Sequence, residues 1–382
     1  MINLPLNRLK AGMVVAQSVL NSSGASYLTR GQQLTNSYIE KLRQMGIRDI
    51  HVSSTMTTGD SPLPPEDVLQ ERTRAIAVKK VYDMFQQVSE RGTFDPVPLG
   101  KASAAIVNDI MARRGNLVQL TDLRVHDMYT FAHSVNVAML SSLLGVLCGL
   151  TEEELSELTL GALMHDLGKL DIPREILNKP GRLDEEEFNI VKRHPVDGSK
   201  LIQTMSLPNA QQLAIVARQH HEHMDGKGYP DHRRGDQIHI YGRISAIADV
   251  YDALTSVRPY KKAYVPSVAY HIMKNCSVGH FDEYLLRLFF SNVAIYPVGT
   301  VLDTTAGYGI VRRVEFGKTE QPVVCVFADK DFRLLDKTFD IDFSETSRDT
   351  IDKVLSDTEL LHFIHQMHFD PASLLLEDTE RS

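Results

Sequence analysis

The stretch HHEHMDGKGYP, residues 220–230, sets three histidines within four positions and then breaks to glycine, tyrosine and proline. Four more places carry side chains of similar chemistry: His133 in YTFAHSVNVA, His165 and Asp166 in MHDLGK, His194 in RHPVDG, and Asp249 in IADVYDAL. Each alone has an ordinary reading. A single His near apolar residues is usually a hydrogen-bonded core or surface group, and Asp249 could cap a helix or form a salt bridge. Together with His220 and His221 they are imidazole and carboxylate donors without a thiolate, which suits Fe, Mn or Zn and excludes a soft sulfur site.

The adjacent pairs sharpen the picture. Neighbouring residues on an α-helix point about 100° apart, so His165 and Asp166 can share one ion only by approaching it from the side. A carboxylate has two oxygens, however, and can bridge two cations while the histidine serves one. His220 and His221 pose the same problem at a helix end, where MDGKG unwinds the chain and frees the second imidazole. An HExxH pattern would stack two histidines around one zinc. Adjacent pairs on separate helices instead suit two ions roughly 3.5–4 Å apart.

Elements far apart in sequence must gather these groups. From about 117 to 293 the periodicity is helical almost throughout. LTEEELSEL opens on a capping box, Thr151 to Glu154, and LDEEEFNIVKRH on another, Asp184 to Glu187. The second helix runs into His194-Pro195 and places that histidine at a helix junction. Residues 1–53 read as a small α+β unit: GMVVAQSVL and ASYLTRG flank the turn NSSG, TNSYIEKLRQMGI is helical, and RDIHV is a strand. Residues 53–67 have linker composition, and helices are predicted over 65–92 and 98–114. At YPVGTVLDTTAGYGIVRRVE the period turns to alternation, predicting a β-meander over 296–345 and a last helix over about 348–368. The expected fold is mainly α. Residues 1–115 form an N-terminal α+β module with linker helices, 116–295 a helical domain, and 296–382 a β extension with a C-terminal helix.

Composition removes several functional classes. A chain of 382 residues exceeds one ordinary core, and its 43% hydrophobic and 24% charged residues have the balance of a soluble globular protein. A net charge of -8 without a dense Lys/Arg run argues against duplex binding, while a small anionic ligand stays open. The three cysteines (Cys148, Cys276 and Cys325) are scattered and lack CxxC spacing. MINLPLNRLKAGMVV does not read as a signal peptide, and VNVAMLSSLLGVLCGL at 135–150, interrupted by Asn, Ser and Gly, reads as a buried helix. The expectation is a cytoplasmic protein without a DNA or membrane partner.

HDLGK, HPVDG, HHEHMDGKGYP and ADVYDALTSVRPYKK, in that order, resemble the HD-GYP phosphodiesterases, a branch of the HD hydrolase superfamily. LDIPREILNKPGRLDEEEF matches the family's connector, and the likeness covers about 117–293. The flanking segments are similar to a β extension and an N-terminal module that accompany such domains. The resemblance implies that His133, His165, Asp166 and Asp249 hold one metal and that Asp166, His194, His220 and His221 hold the other, with Asp166 bridging. It implies iron or manganese; the ligand types alone also allow zinc. Some members bind a third metal through a Glu four residues before the first histidine. Tyr129 stands there in this chain, so two divalent ions are expected.

The implied activity is hydrolysis of a cyclic dinucleotide, cyclic di-GMP to pGpG, with a second cleavage to GMP left open. The alternatives are 3′3′-cyclic GMP-AMP as substrate, or a non-catalytic domain that senses the nucleotide or docks a cyclase. Two cations would activate a water for in-line attack and neutralise charge on the phosphoryl oxygens. Lys169, three residues past Asp166, can reach the scissile phosphate or else cap its helix. Arg258 and Lys261 can grip phosphates or form a solvated basic turn. Gly226 and Gly228 allow unusual backbone beside Tyr229, a substrate-facing candidate. In the family this loop is linked to contacts with diguanylate cyclase (GGDEF) domains. Glu222 and His223 are candidates to orient an imidazole, or plain surface residues. The N-terminal module is expected to act in regulation or in forming a homodimer. His362, His365 and His368 read as an amphipathic tail helix, and His126 as a decoy.

Overall fold

The computed structural model describes every residue except 1, 21–25, 46, 48, 54–68, 113–128, 180, 257–262, 276–277 and 376–382. Near the N-terminus β1 (Ile2–Pro5) pairs antiparallel with β4 (Asp49–Val52), and β2 (Val19–Leu20) pairs with β3 (Ser26–Leu28). Helix α1 (Asn36–Gln44) starts at Thr35, whose side chain accepts from the Tyr38 N–H. Leu28, Leu34, Leu42 and Val52 close the small core between them. The strand and helix pattern expected over 1–53 is thus present, with the NSSG turn outside the described residues.

The helical region begins with α2 (Glu71–Arg91) and α3 (Pro96–Ala112). It continues through α4 (Tyr129–Leu147), α5 (Glu152–Leu163), α6 (Arg174–Leu177), α7 (Glu185–Val191) and α8 (His194–Thr204). It ends with α9 (Ala210–Gln219), α10 (Ile240–Thr255), α11 (Pro266–Asn275) and α12 (Glu283–Asn292). Helix α4 is apolar nearly all round because α2, α3, α5 and α10 pack on it. Its stretch Thr130–Leu147 is the one window among the described residues long and apolar enough to cross a membrane, and 83% of it is buried inside the protein. Both predicted capping boxes close: Thr151 with Glu154 opens α5, and Asp184 with Glu187 opens α7.

Packing groups the described parts of 68–115 and 127–289 in one unit, and those of 1–67 and 290–382 in another. Helices α2 and α3, assigned from sequence to the N-terminal module, belong by packing with the helical unit. Their buried stripes (Val78, Val81 and Phe85 on α2; Leu99, Ile106 and Ile110 on α3) are the reason, since α4 and α5 cover them.

In the other unit a five-stranded antiparallel sheet has the order β8-β7-β6-β5-β9. Its strands are β5 (Val301–Thr304), β6 (Gly307–Arg313), β7 (Val323–Ala328), β8 (Leu334–Asp342) and β9 (Ile351–Val354). The first four are the predicted meander. Alternate residues feed two clusters, Val301, Ile310 and Cys325 on one face and Leu302, Val311 and Val324 on the other. The fifth strand corrects the sequence reading, which had residues from 348 onward as helix. Residues 351–354 pair with β5, and α13 (Asp357–Met367) starts only at the Ser356–Glu359 capping box. A four-residue strand followed by a cap leaves too short a pattern to separate from a helix by period alone.

Candidate metal centre

The helical unit brings all seven candidate ligands together. His133 lies in the first turns of α4, and Asp249 on α10. His165 and Asp166 fall in the turn between α5 and the 3-10 segment Leu167–Asp171, not on regular helix. His194 opens α8, and His220 and His221 follow the last turn of α9. Both adjacent pairs therefore sit where a helix ends, which is what lets neighbouring side chains converge.

The two oxygens of Asp166 face different groups. Oδ2 lies 3.4 Å from His165 Nε2 and 3.8 Å from His133 Nε2, while Oδ1 lies 3.6 Å from His194 Nε2 and 4.0 Å from His220 Nε2. Asp249 joins both sides, with Oδ1 3.1 Å from His133 Nε2 and Oδ2 3.9 Å from His221 Nδ1. Potential ligand atoms of His133, His165 and Asp166 lie within 4.8 Å of one another, and so do those of His194, His220 and His221.

Backbone carbonyls set most of the imidazoles. The Nδ1 atoms of His165, His194 and His220 lie 2.8 Å from Ala162 O, 2.7 Å from Val191 O and 3.0 Å from Val216 O. A carbonyl only accepts, so each Nδ1 carries the proton and each Nε2 lone pair points inward. His165 Nε2 and Asp166 Oδ1 are buried without a hydrogen-bond partner. Orphaned buried acceptors are costly unless a cation or another donor meets them. The donor set and these orphaned atoms fit two divalent ions.

The electrostatics point the same way. Burial pushes His194 down to about 4 and His221 to about 3, and drives His220 well below the usual imidazole range. These rings are neutral near pH 7, the form that ligates metal. Burial alone would lower His133 too, but the carboxylates of Asp249 and Asp252 outweigh it and raise that ring to about 9. Burial would raise Asp166, yet His165 and Lys169 hold it well below the usual carboxylate range. His133 holds Asp249 low in the same manner, against its burial. His133 would have to give up a proton to hold a cation on this side.

The remaining candidates divide. Lys169 places Nζ 2.6 Å from Asp166 Oδ2, on the carboxylate itself, with its side chain a quarter exposed. Tyr229 stacks on His221, ring centroids 4.7 Å apart, and its N–H donates to His221 O. Burial raises the phenol, so it keeps its proton. Arg258, Lys261 and His126 lie outside the described residues. His362, His365 and His368 are exposed on or just past α13. Gly226 has φ +79°, as a left-handed turn requires, but Gly228 matters for closeness: a Cβ there would meet His223 N at 2.3 Å and His221 O at 2.4 Å.

Glu222 does not orient an imidazole. It is buried and accepts from the N–H groups of Asp231 and Arg233, at 2.6 Å and 3.0 Å, so it ties down the loop after Tyr229. Glu222→Ala is expected to loosen that loop by about 2 kcal/mol, read as roughly 30-fold faster amide exchange at Asp231 and Arg233. His223 stacks on His280 at 3.6 Å, facing a ring rather than a ligand.

Sequence reasoning missed Asp252, whose Oδ2 lies 2.6 Å from His133 Nδ1. The signal was present, since Asp252 is three residues past Asp249 and shares its face of α10. It also missed the backbone carbonyls, which no side-chain pattern announces.

Comparison with known proteins agrees with this geometry. Residues 107–285 match the family model described as an HD domain. The chain is 30% identical over 352 residues to a cyclic di-GMP phosphodiesterase of Pseudomonas aeruginosa, covering 85% of this chain and 84% of that one. It is 35% identical over 210 residues to a cyclic di-GMP phosphodiesterase response regulator of Xanthomonas campestris pv. campestris, 54% of each chain. It is also 36% identical over 191 residues to 3′3′-cGAMP-specific phosphodiesterase 1 of Vibrio cholerae, 50% of this chain and 43% of that one.

Proposed function

This chain belongs to the HD-domain cyclic di-GMP phosphodiesterases of HD-GYP type, and we propose on that footing that it hydrolyses a phosphodiester bond of a cyclic dinucleotide, opening cyclic di-GMP to pGpG. One observation carries the reading: a single buried carboxylate, Asp166, turns one oxygen to His133 and His165 and the other to His194 and His220. A ligand shared in this way is what a two-cation phosphodiester site needs.

His133, His165, Asp166 and Asp249 would hold one ion, and Asp166, His194, His220 and His221 the other, iron or manganese by the family's habit. Divalent cations there supply Lewis acidity to the phosphoryl oxygens and to the attacking water. The protein's own side chains do the rest. Neutral His194, His220 and His221 present lone pairs without first losing protons. Lys169, paired with buried Asp166 and itself a quarter exposed, is placed to meet a non-bridging phosphate oxygen with its ammonium. Tyr229 offers a protonated phenol and a ring face beside His221, and Arg258 and Lys261 are assigned to the phosphates on the strength of their motif. Burial of the donor set keeps bulk water from competing for it. The GGDEF-docking role of the GYP loop stays part of the proposal on the same footing.

A second reading, 3′3′-cyclic GMP-AMP as substrate, is favoured by the resemblance to the Vibrio cholerae enzyme named for it. The test uses the full chain, prepared without oxygen and loaded with Fe(II) or Mn(II), incubated separately with each cyclic dinucleotide, with products resolved by chromatography. The expected result is pGpG from cyclic di-GMP, abolished by chelation and restored by added Mn(II). Turnover of cyclic GMP-AMP alone would reassign the base preference. Binding without turnover in both metal forms would make the protein a sensor.

A further inference from the structure

We propose that Arg74, on a helix outside the residues matched by the HD-domain model, is a positioning residue that holds the His133 ring in place at the metal centre through Asn136 and Asp252. Three of the inward-facing imidazoles have their Nδ1 protons held by backbone carbonyls, whose direction cannot reverse. His133 differs. Its Nδ1 meets a side chain, Asp252 Oδ2, at 2.6 Å, and a side chain keeps its place only as firmly as its own partners hold it.

Behind Asp252 runs a short buried relay. Asn136 Nδ2 donates to Asp252 Oδ1 at 2.7 Å, and Ser256 Oγ donates to the same oxygen at 2.7 Å. Arg74 Nη1 donates to Asn136 Oδ1 at 2.5 Å, and Arg74 Nη2 reaches Met139 Sδ at 3.4 Å. Arg74 is 2% exposed and sits in the first turns of α2, whereas the domain match starts at residue 107.

A carboxamide can turn over, exchanging its donor and acceptor ends. A guanidinium cannot, because it only donates. Arg74 therefore holds the Asn136 carbonyl toward itself and the Asn136 amide toward Asp252. Asp252, held by that amide and by Ser256, accepts from His133 Nδ1 and keeps Nε2 of the ring turned to Asp166 and Asp249. A fixed donor at the far end thus anchors the relay in one arrangement, and metal affinity depends on how α2 is seated. Partners of this kind behind a metal-ligating histidine are worth about 10–100-fold in affinity.

The inference rests on the two-cation reading above, and its test separates the two. Mn(II) affinity is measured by equilibrium dialysis on chelator-treated full-length protein, together with the melting temperature of the metal-free form. Arg74→Lys keeps a donor-only group and is expected to stay within about threefold of the parent. Arg74→Gln can accept from the Asn136 amide, letting it turn its carbonyl against Asp252, and is expected to bind Mn(II) at least about tenfold more weakly. Metal-free melting should be similar in the two variants. Equal affinity in the Lys and Gln variants, whether both retained or both lost, overturns the proposal. Should Arg74→Gln fail to fold, Asn136→Asp keeps the partner of Arg74 while removing the donor to Asp252; undiminished affinity there overturns it as well. A parent protein that binds no Mn(II) overturns the phosphodiesterase reading and this one together.

Discussion

Asp166→Ala is expected to leave the chain with neither cation and to lower cyclic dinucleotide hydrolysis by at least about 10³-fold. The reason is geometric. Asp166 faces two histidines of each group, His133 and His165 through Oδ2 and His194 and His220 through Oδ1, whereas Asp249 meets one of each, His133 and His221. Removing it opens both groups at once, and the surrounding histidines cannot supply a shared anion. Lys169, now paired with Asp166 Oδ2, would be left with its ammonium at the edge of a cluster of imidazoles, which further disfavours a cation. Metal content per chain, read by elemental analysis after loading with Mn(II), is the primary measurement, with hydrolysis alongside. Asp166→Asn makes the comparison sharper, since it keeps the volume and one oxygen but loses the charge. Two ions per chain in the Ala variant would mean that Asp166 does not bridge and that the site is organised in another way.

Gly168→Ala is expected to damage both stability and the site, although it adds only a methyl group. A Cβ at 168 would stand 2.1 Å from His194 O and 2.5 Å from Gly198 N, and Gly198 in turn has no room for one against Gly168 N at 2.9 Å. All these atoms are backbone, so no side chain can swing aside. The turn carrying His165 and Asp166 must then separate from the start of α8, which carries His194. Overpacking of this kind costs about 3 kcal/mol, or roughly 6–12 °C in melting temperature. Because the strain falls between Asp166 and His194, Mn(II) affinity should drop with it. Gly100 on α3 supplies the contrast: nothing lies within 4 Å of a Cβ there, so Gly100→Ala should be neutral or stabilising by about 0.5–1 kcal/mol. Calorimetry of the three metal-free proteins checks this, and a Gly168→Ala melting point within 2 °C of the parent, a threshold well below the roughly 6 °C minimum expected, would refute the close approach.

How much of this was visible beforehand depends on distance along the chain. The capping boxes at Thr151 and Asp184 and the break after His221 are decided within a few residues, so residue type and spacing reveal them. The candidate ligands were legible for a related reason: histidine and aspartate carry their chemistry in the side chain, and adjacent pairs limit how they can share an ion. The sequence also sufficed for the meander, because strands joined by short turns pair with their neighbours in order.

Elsewhere local pattern pointed the wrong way or not at all. Glu222, beside two candidate ligands, reads like an orienting group, yet its carboxylate turns to the backbone of Asp231 and Arg233. Strand β9 joins β5 across nearly fifty residues of chain, a pairing set by which sheet edge is left open rather than by its own four residues.

The amino-acid sequence alone determined which donors are available, the helices that carry them and the family to which they are similar, because those properties are local or chemical. Only the tertiary structure decided which oxygen of Asp166 meets which histidine, that Gly168 lies against Gly198, and that Arg74 reaches His133 through Asn136 and Asp252. These depend on directions and separations between residues up to 119 positions apart, which side-chain packing sets and no spacing along the chain records.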